Sequence, residues 1–444
     1  MDIESTAREI EVEFPELSMP WAPARPRDPA LWCALIALAF LGVCLIRLDI
    51  PTKPYFDEVH YLQPARNLLA LSKVLNAEHP LVGKEFIALG MAIFGDNPFG
   101  WRIFSVLAGA VTLFAFMRAM WFASASRFAA IATGVLIATA YPLFIQSRIA
   151  MLDIYMLCFF ALAMWMCAGA VREPSSARWR LALAGVAFGV SMGAKWNAVP
   201  LAVLPGLAFL TLRIEGAGWR FLWSRGGPPV PGMSLAEAAL WLGLVPLGVY
   251  YLTFVPDLFF HTGAMKPGLG GFIAWHQEML KLQDSVVKPH PYMSQWWQWM
   301  VDWRPIWYLY EKVDGAQRGV LLVGNPFTML AGLAALGWCA LVGAERMNWT
   351  AIALLLFYAV SLGMWIVDGK PVQFYYYYLL PSCFLMGALA LALDRFWHRG
   401  NRWLPLLVLT ASCLLFAYYY PILSAARLPG PQGYLKWMWL NSWR

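Results

Sequence analysis

Charge is what this sequence has least of. Asp, Glu, Lys and Arg together supply 13% of its 444 residues, whereas 60% are hydrophobic. A soluble chain of this length needs far more charged surface, so the composition excludes a soluble globular protein and predicts a polytopic membrane protein. Cysteine excludes little and builds nothing. Cys33, Cys44, Cys158, Cys167, Cys339, Cys383 and Cys413 all lie in apolar segments, with neither a disulfide framework nor a metal-ligand spacing. There is no glycine-rich phosphate loop, hence no sign of a nucleotide site, and no obvious internal repeat of the kind transporters carry. No basic stretch followed by a short apolar core opens the chain, so the first span is expected to stay as an anchor. Residues 1–29, acidic and then proline-rich, are expected to form a disordered cytoplasmic tail.

What is abundant is apolar runs of about 20 residues, each long enough to cross roughly 30 Å of hydrocarbon. They predict about eleven spans, near 30–50, 100–122, 128–147, 149–171, 181–197, 198–213, 236–255, 320–343, 349–367, 372–393 and 403–423. The stretch 181–213 contains Lys195, Asn197, Pro200 and Pro205, and reads as two short helices or one broken one. Arginines mark alternate loops: Arg118 and Arg127; Arg172, Arg178 and Arg180; Arg213, Arg220 and Arg225; Arg395, Arg399 and Arg402. The positive-inside rule places these loops and the N-terminus in the cytoplasm and the C-terminus outside. The net charge of +7 thus belongs to membrane topology and is no footprint of nucleic acid. The resulting organisation is a transmembrane module over 30–255 with a first outer loop at 51–99, a Trp-rich second outer loop at 256–319, a four-helix module over 320–423, and an outer tail, 424–444, in which Arg427, Lys436 and Trp437 suggest contact with the membrane surface.

The two outer loops hold His60, His79, His261, His276 and His290, five of the six histidines, together with Asp57, Glu58, Glu78, Lys84 and Glu85. Titratable chemistry gathered on one face suits an enzyme working at a leaflet better than a channel or a flippase. Asp57-Glu58 opens an expected interfacial helix, about 58–72, with Val59, Leu62, Ala65 and Leu69 on one side. Asp57 is open to two readings: an N-cap with Glu58 complementing the helix dipole, or a general base within reach of a substrate hydroxyl. Adjacent side chains on a helix diverge, so Glu58 would then serve another purpose, such as positioning an acceptor. A turn through His79-Pro80 and Gly83 precedes a second interfacial helix carrying Lys84, which either meets a lipid phosphate or snorkels to the headgroups.

Arg102 begins a span with no acid within a helical turn, which favours an anionic ligand, and Lys195 is similarly unpaired in sequence. Burying an arginine at mid-bilayer costs about 2.5–3.5 kcal/mol and less near the interface. Arg148 and Asp153, five apart, are expected either to form a structural pair or to reach a neighbour. His290 and Tyr292 enter a segment with Trp296, Trp297, Trp299, Trp303 and Trp307. Such aromatic density marks a membrane-interface belt, or a surface for sugars and lipid chains.

In their order, these blocks resemble the protein O-mannosyltransferase family of polyprenyl-phosphate-dependent membrane glycosyltransferases. The resemblance is carried by Phe56-Asp57-Glu58-Val59-His60-Tyr61, His79-Pro-Leu-Val-Gly-Lys84, Trp101-Arg102, Ser147-Arg148 through Asp153, Gly193-Ala-Lys195-Trp196, His290-Pro-Tyr292, Trp296-Trp-Gln-Trp299, Gly324-Asn-Pro326 and Gln373-Phe-Tyr-Tyr-Tyr-Tyr378. Leu81 replaces a second proline of the family's His-Pro-Pro block, and the tyrosine run lacks a histidine often found there. The second outer loop is too short for the β-trefoil of eukaryotic members, which implies a bacterial-type enzyme of the cytoplasmic membrane with its active site on the periplasmic or extracellular face. The resemblance implies an all-α polytopic GT-C fold and an inverting transfer of mannose from polyprenyl-phosphate-mannose to Ser or Thr hydroxyls of translocated proteins. It implies Asp57 as base and Glu58 beside it. Arg102, Lys84 and, less directly, Lys195 would stabilise the leaving phosphate, with His79, Arg148, Asp153, His290 and Tyr292 as further substrate-side residues. No metal or other cofactor is required in this scheme beyond the lipid-linked donor. Transfer to lipid A or another glycan is the alternative.

Overall fold

In a computed structural model, residues 27–285 and 287–444 are described. The helices in chain order are α1 (Ala30–Leu45), α2 (Glu58–Leu69), α3 (Val82–Phe94), α4 (Pro98–Ser124), α5 (Arg127–Thr139), α6 (Pro142–Gln146), α7 (Leu152–Arg172), α8 (Ala177–Ala194), α9 (Val199–Ala202), α10 (Leu204–Ala217), α11 (Leu235–Ala239) and α12 (Val245–Leu252). After them come α13 (Gly268–Asp284), α14 (Trp296–Met300), a hairpin of β1 (Ile306–Val313) and β2 (Ala316–Leu322), and then α15 (Pro326–Arg346), α16 (Trp349–Val367), α17 (Leu379–His398) and α18 (Trp403–Leu423). Eight helical stretches among the described residues are long and apolar enough to cross a membrane. The other three expected spans coincide with α1 and α5, which are shorter, and with α8, which carries Arg178 and Arg180. The chain is a multi-pass membrane protein.

Helix starts follow local chemistry. Asn97 caps α4 by accepting the Gly100 N–H at 3.0 Å, with Pro98 at the first helical position, and Asn325-Pro326 repeats the device on α15. The span expected at 128–147 breaks where Tyr141 takes a φ of +82° immediately before Pro142, which divides α5 from α6. A second interruption, at 147–151 between α6 and α7, is buried and lies against the ion pair described below.

Two expectations are corrected here. The run expected to start a span at 320 begins inside β2, because a fully buried apolar strand and an apolar helix look alike in sequence. The hairpin pairs in antiparallel register from Ile306↔Leu322 to Val313↔Ala316 and is the exception to an otherwise helical fold. The segment 424–444 packs onto this hairpin and does not simply lie on a membrane surface. Leu428 N–H donates to the Gln317 carbonyl at 2.8 Å, Trp437 is buried, and the Trp443 indole donates to the Asp302 carbonyl at 2.5 Å.

The segments 51–99 and 256–319 meet at one end of the bundle: His261 N–H donates to the Leu71 carbonyl at 2.8 Å, Gln283 to that of Glu78 at 2.8 Å, and Lys53 pairs with Glu311 at 2.7 Å. The arginine-rich loops meet at the other end, where Arg118 pairs with Asp28 and Arg180 with Glu173. At the first end α3 lies almost in backbone contact with α4. A Cβ on Gly100 would stand 2.1 Å from the Gly95 carbonyl oxygen and 3.1 Å from that of Gly90, so only glycine permits the approach. Gly100→Ala should therefore destabilise the protein by about 1–3 kcal/mol, seen as a lower unfolding midpoint in detergent. Gly337→Ala, inside α15 with nothing within 4 Å of its Cβ, should not lower the midpoint and should, if it changes it, raise it slightly.

Candidate active site

The N-terminus of α2 is fixed by a buried ion pair. Glu58 Oε1 accepts from Arg102 Nε at 2.7 Å and Oε2 from Arg102 Nη2 at 2.8 Å, with both side chains fully buried. The carboxylate also accepts the backbone N–H of Tyr55 at 3.2 Å and of Ala150 at 3.0 Å. Arg102 spends its remaining donors on the carbonyls of Leu48, Pro51 and Lys53. Every guanidinium N–H thus has a protein acceptor, and two earlier expectations change. Arg102 does have an acidic partner, 44 residues away, and has no donor left for a phosphate. Glu58 is sealed from any acceptor and serves as the bracket that holds this turn.

Asp57, one residue earlier, is placed differently. Phe56 has a φ of +50°, uncommon for a bulky residue, and its ring stacks on Tyr308 at 3.8 Å. The Asp57 side chain is half-buried and stands at the N-cap position of α2, yet accepts no capping hydrogen bond from it. Burial raises its pKa to about 6, against the opposing pull of Lys195 and His60, while Asp153 raises it further. The aromatic wall around it comes from distant parts of the chain. Tyr61 lies on α2 and Tyr308 on β1. Tyr376 and Tyr377 belong to the turn before α17, and Trp365, at the end of α16, stacks on Tyr377 at 3.7 Å.

Next to this wall Lys195 donates to both oxygens of Asp153 at 2.8 Å, and its ammonium lies 5.3 and 5.6 Å from the rings of Tyr376 and Tyr377. Lys195 is therefore paired, across 42 residues, where the sequence left it alone. Arg148 does not meet Asp153. It caps the C-terminal end of α1 through the carbonyls of Cys44, Ile46 and Arg47. Lys84 is buried, and donates to the carbonyls of Asn76 at 2.7 Å and His79 at 2.8 Å; it clamps the turn before α3 instead of snorkelling. The half-buried His79 faces the Tyr61 ring edge-on at 6.1 Å, and burial, with Lys195, Lys84 and Lys370 nearby, holds its pKa well below the usual histidine value. His290 and Tyr292 are exposed, yet His290 abuts Phe374 at 5.3 Å, which in turn stacks on Tyr376 at 5.5 Å. An unbroken row of rings thus leads from the surface to Asp57. Among the described residues no three His, Cys, Asp or Glu side chains converge into a metal-binding group.

Lys370 and Tyr308 are not singled out by the sequence, and Tyr61 enters there only as part of the block that begins at Phe56. Lys370 sits in Asp368-Gly369-Lys370-Pro371, directly before the tyrosine run; a lysine at the mouth of an aromatic block is the sequence signal that points to it.

The fold has counterparts among solved structures. The S. cerevisiae protein O-mannosyltransferase Pmt1–Pmt2 complex bound to the sugar donor aligns over 94% of this chain and 93% of its own, at 15% identity and a TM-score of 0.78. ArnT from Cupriavidus metallidurans bound to undecaprenyl phosphate aligns over 88% of this chain and 66% of its own, at 16% identity and a TM-score of 0.54. The fold they share is the GT-C fold of membrane glycosyltransferases. The family described as Dolichyl-phosphate-mannose-protein mannosyltransferase matches residues 78–225, and the C-terminal four TMM region of protein-O-mannosyltransferase matches residues 269–443. The chain belongs to the protein O-mannosyltransferase family. Curated relatives named polyprenol-phosphate-mannose–protein mannosyltransferase are 27% identical in Mycolicibacterium smegmatis, over 94% of each chain, and 27% identical in Mycobacterium tuberculosis, over 88% of this chain and 87% of the relative.

Glu58 and Asp57, though adjacent, should respond oppositely to substitution. Glu58→Ala strands a buried guanidinium, and should cost about 3–5 kcal/mol and most of the folded yield in detergent. Asp57→Asn breaks no hydrogen bond to the protein and should leave the unfolding midpoint at the wild-type value.

Proposed function

We propose that the protein transfers mannose from polyprenyl-phosphate-mannose to Ser or Thr hydroxyls of proteins crossing the cytoplasmic membrane, with Asp57 as general base on the periplasmic or extracellular face. The observation that carries the reading is Asp57 itself. It is a half-buried carboxylate without a structural hydrogen bond, set at the opening of an aromatic and cationic cluster in a chain of this family. The names of the relatives supply the donor and the class of acceptor.

The step is a single displacement. The acceptor hydroxyl oxygen bonds to the mannosyl C1 as the C1–O bond to the phosphate breaks. The hydroxyl proton passes to Asp57, polyprenyl phosphate leaves with the electron pair, and the anomeric centre inverts. A carboxylate with a pKa near 6 is a better proton acceptor than one at its ordinary value, and near neutral pH remains mostly ionised. The tyrosines beside it offer flat apolar faces with hydroxyl edges, which suits a pyranose. Glu58 and Arg102 contribute by position: they fix the residue preceding α2 to α4, so that the base does not drift when substrate enters. His290 and Tyr292, at the far end of the row of rings, lie where an extended acceptor segment would run.

Membranes bearing the wild-type chain should transfer labelled mannose from polyprenyl-phosphate-mannose to a Ser/Thr-rich peptide, and Asp57→Asn should lower the rate by about 10²–10⁴-fold. Label appearing in a glycolipid and not in the peptide would move the acceptor to a glycan. The pH profile follows in sign from the raised pKa of Asp57, about 6. The base works only when deprotonated, so the rate should climb as pH rises through about 6 and level off above it. A rate that is flat down to pH 5 would remove Asp57 from the role.

A further inference from the structure

The proposed reaction needs a cation for the departing phosphate, and every basic side chain first expected there is engaged elsewhere. Arg102 is saturated by Glu58 and three carbonyls, Arg148 caps α1, Lys84 clamps the turn at 76–79, and Lys195 is held by both oxygens of Asp153. His79 is kept neutral by burial and by the lysines around it. One cation facing the cluster is different. Lys370 is half-buried, its ammonium lies 5.9 Å from the centre of the Tyr377 ring, and among the described residues no carboxylate pairs with it. Tyr377 therefore has Lys195 at 5.6 Å and Lys370 at 5.9 Å, two like charges about one ring; Asp153 is bonded to the first, whereas Asp368 and Asp284 act on the second only through space.

We propose that Lys370 is the counter-ion of the donor's phosphate, and completes, with the Asp153-bound Lys195, a seat for the polyprenyl-phosphate head group against Tyr377. The inference rests on the function proposed above and assigns a residue within that site. The surrounding loop is built to present this side chain. Gly369, with a φ of +62°, turns the chain before it and Pro371 stiffens it behind. Gln373 then ties the loop down by donating to the Trp365 carbonyl at 2.7 Å and by accepting Ser294 N–H on its own carbonyl at 2.8 Å. An ammonium on an anchored loop, desolvated and repelled by Lys195, sits below its ordinary pKa even though Asp368 and Asp284 partly offset these effects. An entering phosphate relieves both penalties, since it supplies the missing negative charge and acceptor oxygens.

The test uses the full-length purified protein and two probes, undecaprenyl phosphate and polyprenyl-phosphate-mannose. Lys370→Gln and Lys370→Met should each weaken undecaprenyl phosphate binding by about tenfold to a hundredfold, the scale of one hydrogen bond to a charged group, and raise KM for the donor in proportion. Lys370→Arg should stay within a few-fold of wild type, because the charge is kept. Unfolding midpoints of all three should match wild type, as the side chain has no carboxylate partner to lose. Wild-type lipid binding by both neutral variants overturns the assignment, and so does weakened binding that merely tracks a lowered midpoint. The two proposals fail separately: undecaprenyl phosphate binding that depends on Lys370, without mannose transfer to peptide by the wild-type chain, sinks the protein-acceptor reading and upholds the phosphate seat.

Discussion

The buried pair of Glu58 and Arg102 is the constraint on which the rest of the site depends. Two charges removed from water carry a desolvation penalty of several kcal/mol each, recovered only when geometry is good and the remaining donors and acceptors are satisfied. Both conditions hold: the contact is bidentate, two backbone N–H groups complete the carboxylate, and three carbonyls complete the guanidinium. The partners bring together four separate stretches of chain: the turns between α1 and α2, the first turn of α2, the second turn of α4 and the bend before α7. Taking away either charge would leave the other uncompensated in an apolar interior. The pair is thus a rivet between segments that hydrophobic packing alone would allow to slide.

The same logic runs through the other internal charges. Arg148 stitches the end of α1 to the bend at 147–151, Lys195 joins the end of α8 to the start of α7, and Lys84 fixes the turn ahead of α3. In a bundle whose helices gain little from hydrophobic contact with one another in lipid, such polar links and the glycine contacts of α3 on α4 supply the specificity that water would otherwise enforce. The result is a site whose wall is mostly scaffold, with few ionisable side chains left uncommitted. Asp57 and Lys370 are conspicuous because they belong to that minority.

Much of this was legible in the sequence and some could not be. The spans were readable because crossing a bilayer demands long apolar runs wherever the helix ends up, and Asp57 was readable because an acid at a membrane boundary needs a reason. The family blocks marked the right neighbourhoods. Partner choice was not readable: Arg102 and Lys195 look solitary along the chain, and their acids lie 44 and 42 residues away, distances that local helical rules do not reach. The hairpin was hidden for another reason. Residues 319–323 are apolar because they are buried inside the protein, and hydropathy cannot separate that burial from burial in lipid.

The aromatic wall has a bearing on how the protein is made. Asp57, Asp153 and Lys195 are all synthesised within the first 200 residues, whereas Trp365 and the tyrosine turn at 375–378 that encloses them arrive only when α16 and α17 are inserted. For most of its synthesis the nascent protein therefore carries the proposed base in an open, wet half-site, walled only by what α2 and the early helices supply. Activity comes as a late, all-at-once event of membrane insertion, and fragments ending before α17 are expected to be inert however well their helices fold.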